Sequence, residues 1–314
     1  MIGLAHALQY GGYQHVVEAD IRGFFDHMDH DWVIKMLRRR IDDRAFLGLI
    51  RKWLKAGRLD TDGAVRYPGE GTPQGGIVSP VLANVYLHDA LDLWVERVVK
   101  PRCRGRVLLC RYADDFVCAF ACRADAQRFY QVLPKRLEKF GLEVAPEKTQ
   151  IVLFSRSRPD PSMRLVVIGF ELYWYRTFRG RVQLMRRTAR KCLQRAIRSI
   201  TNWIRSHRHL PGREFVKELN RRLLGHDNDD GLRDNAAALW RLHTAAVAAA
   251  FKWLNRRGGQ APELHLGRVQ ARPEAARRCP PSHHRAIMCP VATGVCMTAL
   301  ARLMNEYNRG TGCE

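Results

Sequence analysis

The sequence predicts an α+β protein: an antiparallel sheet with helices packed on one face, followed by a helical region. Short apolar runs bounded by turn residues recur at 15–21, 107–110, 116–121, 150–154 and 165–175, and read as strands. Between them, Phe46, Leu49, Ile50, Trp53 and Leu54, and later Phe129, Val132, Leu133, Leu137 and Phe140, follow helical spacing. From Arg186 onward the strand signals stop and basic helical patterns take over. Strands with interleaved helices and then a run of helices is an α+β pattern.

In chain order, residues 1–14 give no clear element. The strand from His15 puts Val17, Ala19 and Ile21 on one face, with Asp20 at its end. Asp29 or Asp31 is placed to cap a helix through Leu37, and Asp43 a second from Ala45 to Ala56, because a short acid before an apolar-periodic run accepts the orphan N–H groups of the first turn. Asp62-Gly63 between Leu59 and Val65 is a hairpin signal. Residues 69–80 contain four glycines and two prolines, a loop whose backbone can approach a ligand closely. It feeds a long helix over 81–99, and a helix N-terminus of this kind can receive a phosphate. Asp125–Phe140 is an amphipathic helix ended by Gly141. Leu142–Ala145 and Gln150–Phe154 are strands around a Pro146-Glu-Lys-Thr149 loop, and Arg179-Gly180 turns the chain before Val182. Basic helices then cover 186–205, 213–224 and 232–255. A domain boundary falls near 180–185.

The chemically suggestive stretch is Arg111-Tyr-Ala-Asp-Asp-Phe-Val-Cys-Ala-Phe120, with Asp114 and Asp115 between two apolar runs. It reads as a hairpin with two acids at its turn. Buried carboxylates need a counter-charge, and a hard divalent cation with oxygen ligands is the natural one. Two such ions about 3.5–4 Å apart clamp the attacking and leaving oxygens of a phosphoryl transfer. Taken alone, the pair is equally a polar turn. Asp20, at the end of a neighbouring strand, would complete a set of three; by itself it is more simply an Asp opening a turn.

Composition narrows the partners. The chain has 53 basic and 31 acidic residues, a net charge of +22, and a pI of about 10.2. Such a balance points to a polyanion, usually nucleic acid. No apolar stretch is long enough to span a bilayer, and no signal peptide is evident. Nine cysteines without a Cys-x-x-Cys pair read as reduced thiols of a cytoplasmic protein. Cys279, His283, His284, Cys289 and Cys296 match no standard zinc spacing, and residues 259–314 read as a disordered or unrelated tail.

Five segments in fixed order carry a resemblance: Val-Val-Glu-Ala-Asp20-Ile-Arg-Gly-Phe-Phe-Asp, Gly-Thr-Pro-Gln-Gly-Gly-Ile-Val-Ser-Pro, Tyr112-Ala-Asp-Asp, Pro-Glu-Lys-Thr and Ile-Gly-Phe. Over about residues 10–260 the chain resembles group II intron reverse transcriptases/maturases. The resemblance implies a polymerase palm with partial fingers over 1–183 and a helical thumb over 184–258. It implies that Asp20, Asp114, Asp115 and the backbone of Ile21 hold two Mg²⁺ ions. Phe25 would be the steric gate against a 2′-hydroxyl, and Gln74 and Gly75 would meet the incoming nucleotide and template. Lys148 stands where the family carries a candidate general acid for the leaving pyrophosphate. Ile168, Gly169 and Phe170 would be the primer grip. Arg186, Arg187, Arg190 and Lys191 would contact RNA. The implied partners are an RNA template, a DNA primer, dNTPs and group II intron RNA, with no membrane. The implied activity is RNA-directed DNA polymerisation; a maturase that holds intron RNA without polymerising is the alternative.

The chain departs from the family in three places. The sequence begins just before the Asp20 motif, so most of the fingers are missing and polymerisation would be impaired. His226-Asp-Asn-Asp-Asp230 puts acids where relatives show aromatic residues, weakening an RNA-facing surface. The tail resembles neither the family's DNA-binding region nor its endonuclease.

Overall fold

The computed structural model describes residues 2–56, 58–59, 65–66, 71–72 and 76–256. The Asp62-Gly63 turn, Gln74, Gly75 and the 259–314 tail with its candidate zinc residues lie outside the described residues. The chain divides into two compact units, one of Met1–Ile168 with Leu172–Leu184, the other of Gly169–Glu171 with the residues from Met185 on.

The first unit is built on a four-stranded antiparallel sheet in the order β5-β6-β1-β8, where β1 is His15–Ala19, β5 Val107–Tyr112, β6 Asp115–Phe120 and β8 Gln150–Leu153. Side chains of a strand alternate between faces, and the two faces bury different partners. Val17, Ala19, Phe116, Cys118 and Phe120 join one core with the helices α2 (His30–Leu37), α3 (Arg44–Lys55), α4 (Ser79–Leu87) and α6 (Arg123–Glu138). Val16, Val117, Ala119 and Val152 form a second core. It is closed by α1 (Ile2–Tyr10) and by a three-stranded sheet of β9 (Leu165–Val167), β10 (Phe170–Arg176) and β11 (Val182–Thr188). So helices cover one face, as expected, and α1 with this small sheet covers the other. Helix α1 was not legible in the sequence: its buried Leu4, Ala5 and Leu8 are too few, among evenly apolar neighbours, to make a stripe.

Local signals decide the helix starts. Asp29 accepts from the N–H groups of Asp31 and Trp32, and Asp43 from those of Ala45 and Phe46. Helix α3 departs from expectation: it buries Leu47, Ile50 and Leu54, while Phe46, Leu49 and Trp53 are exposed. Helix α4 runs on through π-helical turns at His88–Asp92 and Val95–Val99 into a last turn, α5 (Lys100–Arg102). Strands β3 (Arg58–Leu59) and β4 (Val65–Arg66) pair antiparallel. A two-stranded ladder of β2 (Ile21–Arg22) and β7 (Glu143–Val144) extends the chain beyond β1.

The second unit packs α7 (Arg190–His207), α8 (Gly212–Asp230) and α9 (Ala236–Leu254) around Ile200, Ile204, Phe215, Leu219, Leu242 and Phe251. Helix α7 begins at Arg190, not 186. Arg186 and Arg187 are still in β11, held by Asp234 at 2.9 Å and Glu171 at 2.7 Å. Two of the three acids in 226–230 point into the fold, while Asp229 is exposed. Asp227 is buried and its Oδ1 meets Nε2 of buried His243 at 2.8 Å. Asp230 accepts from the Thr188 hydroxyl, and buried Asn235 bonds both the N–H and the hydroxyl of Thr188. Asp227 thus joins α8 to α9, while Asp230 and Asn235 hold Thr188, because buried polar groups take partners.

Candidate active site

The antiparallel register converges the acids. Ala19 pairs with Phe116, so Asp20, one step on, emerges beside Asp115. Tyr112 pairs with Asp115 and closes a two-residue turn of Ala113 and Asp114. Ala113 has φ +54°, in the region normally left to glycine. That turn puts two adjacent carboxylates at the tip of an apolar hairpin.

The electrostatics agree. Asp115 is exposed at its tip, yet its pKa is raised: first by partial burial, then by the charges of Asp114 and Asp20, with Lys148 opposing them. The carboxyls are thus near enough to repel one another. Lys148, on the turn after β7, donates to Asp20 Oδ2 at 2.5 Å. That hydrogen bond and the Asp20 charge push the Lys148 pKa up. The Asp20 carbonyl is taken by the Ala145 N–H at 2.9 Å, which fixes this turn against the strand end.

A donor set of three carboxylates, with no thiolate or imidazole, fits a hard divalent cation. Among the described residues, however, no group of three or more His, Cys, Asp or Glu side chains is arranged to hold a metal ion. Like charges repel, and Asp20 is turned onto Lys148.

Phe25 and the glycine-rich loop meet through backbone. The Thr72 N–H donates to the Phe25 carbonyl at 2.7 Å, and the Gly71 N–H to the Met28 carbonyl at 2.9 Å. Gly71 has φ +83°, and a Cβ there would stand 2.6 Å from the carbonyl oxygens of both Phe25 and Asp26. Only glycine fits. The motif alone gave no reason to single out Gly71; its signal is a glycine within reach of another motif's backbone, visible only in three dimensions. Glu18, two residues before Asp20, is a second such residue, with no signal in the sequence. It accepts from Gln150 and from the Val166 N–H, and burial raises its pKa against those two hydrogen bonds.

Ile168 and Gly169 form the two-residue turn between β9 and β10, with φ +51° and +74°. A β-branched residue in that region is a genuine outlier, and strain of this kind gathers at functional positions. Phe170 is buried at the start of β10. Ile21 packs its side chain into the first core. Arg190 and Lys191 are exposed on the first turn of α7.

An antiparallel sheet backed by helices, with a strand-end acid beside a paired-acid hairpin, is the architecture of a polymerase palm. Residues 4–226 match the reverse transcriptase (RNA-dependent DNA polymerase) family, and the chain belongs to it. Over 87 residues it is 46% identical to the group II intron-encoded protein LtrA of Lactococcus lactis subsp. cremoris, covering 28% of this chain and 14% of that one. Over 82 residues it is 49% identical to an uncharacterized 91 kDa protein in the cob intron of Schizosaccharomyces pombe, covering 26% and 10%. Over 127 residues it is 36% identical to protein YkfC of Escherichia coli K12, covering 32% and 33%. The matched stretch is thus a third or less of each relative's length. A solved telomerase from Candida albicans, in complex with a fragment of telomeric RNA, aligns with TM-score 0.42 at 13% identity over 78% of this chain and 46% of that one. That likeness is too loose to add to the family assignment.

Proposed function

We propose that this chain carries the catalytic palm of a group II intron reverse transcriptase and adds dNTPs to a primer 3′-hydroxyl on an RNA template. The observation that carries the reading is the convergence of Asp20, Asp114 and Asp115 at one end of the sheet, with Lys148 beside them. The three carboxylates, with the backbone of Ile21, would hold two Mg²⁺ ions. Bound there, divalent ions supply a lowered pKa for the attacking hydroxyl and charge for the phosphoryl oxygens. The chain's own residues do the rest. Lys148, held protonated by Asp20, is the donor for the leaving pyrophosphate once released from that carboxylate. Phe25, braced by Thr72, gates the sugar; Gln74 and Gly75 meet the nucleotide; Ile168, Gly169 and Phe170 hold the primer end.

Intron RNA is the second partner. Arg190 and Lys191 face outward, and such side chains bind phosphate with a strong salt dependence. Arg186 and Arg187 contribute indirectly, through their ion pairs. Among the described residues no helix is long and apolar enough to cross a membrane, and the described cysteines are free thiols, which suits the cytoplasm. The second reading, carried by the same resemblance, is a maturase that holds intron RNA without polymerising.

Primer extension on an RNA template, with Asp114→Ala as control, tests the proposal. Extension that disappears in the mutant supports it. Intron RNA binding without extension in the parent chain supports the second reading.

A further inference from the structure

Arg111 is the last residue but one of β5, and its guanidinium makes four contacts around the catalytic turn. Nε and Nη2 donate to the two carboxylate oxygens of Asp92 at 2.8 and 2.7 Å. Nη1 donates to Asn84 Oδ1 and to the carbonyl of Ala113, both at 2.9 Å. The side chain is 11% exposed. Ala113 is the residue at φ +54° immediately before Asp114. An alanine there reverts to ordinary backbone unless something holds it.

Asn84 and Asp92 lie on one continuous helix, with a π-helical segment, His88–Asp92, at its middle. The wider i→i+5 turn rotates later residues relative to an α-helical phase. Both side chains then meet one guanidinium. His88 adds a contact to Asp92 Oδ2 at 3.5 Å.

We propose that Arg111, anchored by Asp92 and Asn84, is a positioning residue that holds the strained Ala113 carbonyl and so sets where Asp114 and Asp115 stand. Four of its five N–H donors are used in a planar fork. A lysine offers a point charge without that geometry and cannot grip both Asp92 oxygens and the turn together. The inference rests on the metal-binding reading of the carboxylates.

The test compares R111K, R111K/A113G and D114A in the full chain. It measures primer-extension kcat and dNTP KM, Mn²⁺ binding by electron paramagnetic resonance, and amide exchange across 107–120 in metal-free protein. R111K is expected to lower kcat by about 10–100-fold, with KM changed by less than about 3-fold. It should weaken Mn²⁺ binding and speed exchange at the hairpin tip while the strand bodies stay protected. Because glycine adopts φ +54° without strain, R111K/A113G should recover most of the Mn²⁺ affinity, which a general loss of stability would not allow. An R111K protein with wild-type kcat, Mn²⁺ affinity and exchange overturns the inference. So does a loss that A113G leaves unrepaired. Should R111K not fold, the isosteric D92N carries the same comparison, and wild-type values there overturn it equally. Extension surviving in D114A defeats the metal-binding reading itself; extension and Mn²⁺ binding lost in D114A but intact in R111K defeat only the role of Arg111.

Discussion

Two regions of the molecule treat their acids in opposite ways. At the end of the palm sheet, Asp20, Asp114 and Asp115 crowd together, and the cation at hand is the exposed Lys148. In the helical unit each structural acid has a partner: Asp227 with His243, Asp234 with Arg186, Glu171 with Arg187, Asp230 with Thr188. Matched acids hold a fold together. A cluster left with excess like charge is costly in the bare protein and is useful only to something that brings positive charge. The contrast separates architecture from chemistry without reference to any motif.

Substitutions test this contrast, and the largest effect belongs to the crowded side. Asp115→Asn should cost on the order of 10³-fold or more in primer extension. It should leave the melting temperature unchanged or raised, because it removes one of three repelling charges. A melting temperature that falls with activity would mean that Asp115 is structural. Asp227→Ala belongs to the matched side. It takes the Asp227 carboxylate from buried His243 and should cost about 3 kcal/mol in urea denaturation, with faster amide exchange in α8 and α9. If denaturation shows no change, the pair is not holding these helices.

Gly71→Ala sits between the two cases, acting on backbone rather than charge. Its Cβ would collide with the Phe25 and Asp26 carbonyls at a positive φ, costing about 2 kcal/mol and raising dNTP KM as Phe25 shifts. A KM that does not move would separate this loop from the nucleotide. The smallest effect is that of Glu18→Gln. Glu18 has a raised pKa, so between its ordinary value of 4.5 and the raised one the folded state binds the extra proton and stability falls as pH rises. An amide keeps the Val166 bond and removes that penalty. The mutant should therefore melt at the same or a slightly higher temperature near neutral pH, with a flatter dependence above pH 4.5. A clear drop would show that the carboxylate charge is needed there.

Much of the local structure was legible because its signals are local. Asp29 and Asp43 cap the helices they precede, since a cap bonds N–H groups two and three residues on. The turn at Ala113-Asp114 follows from two apolar runs meeting at two residues. What stayed hidden depends on partners far along the chain. Phe46, Leu49 and Trp53 keep helical spacing yet face solvent, because periodicity says which residues share a side and not which side finds a neighbour. The basic run at 186–191 looked uniform, but Asp234 and Glu171 claim its first two arginines.

By itself, then, the amino-acid order determined the strands, the capped helices, the acid-tipped hairpin and the basic character of the C-terminal helices, all set by interactions within a few residues. Only the tertiary structure decided that Lys148 lies on Asp20, that Asp227 turns to His243 and Asp230 to Thr188, and that Arg111 reaches across to Asp92 and Asn84. Those pairings follow from strand register and helix phase. Both are fixed by how the whole core packs, and neither is written in any short stretch of chain.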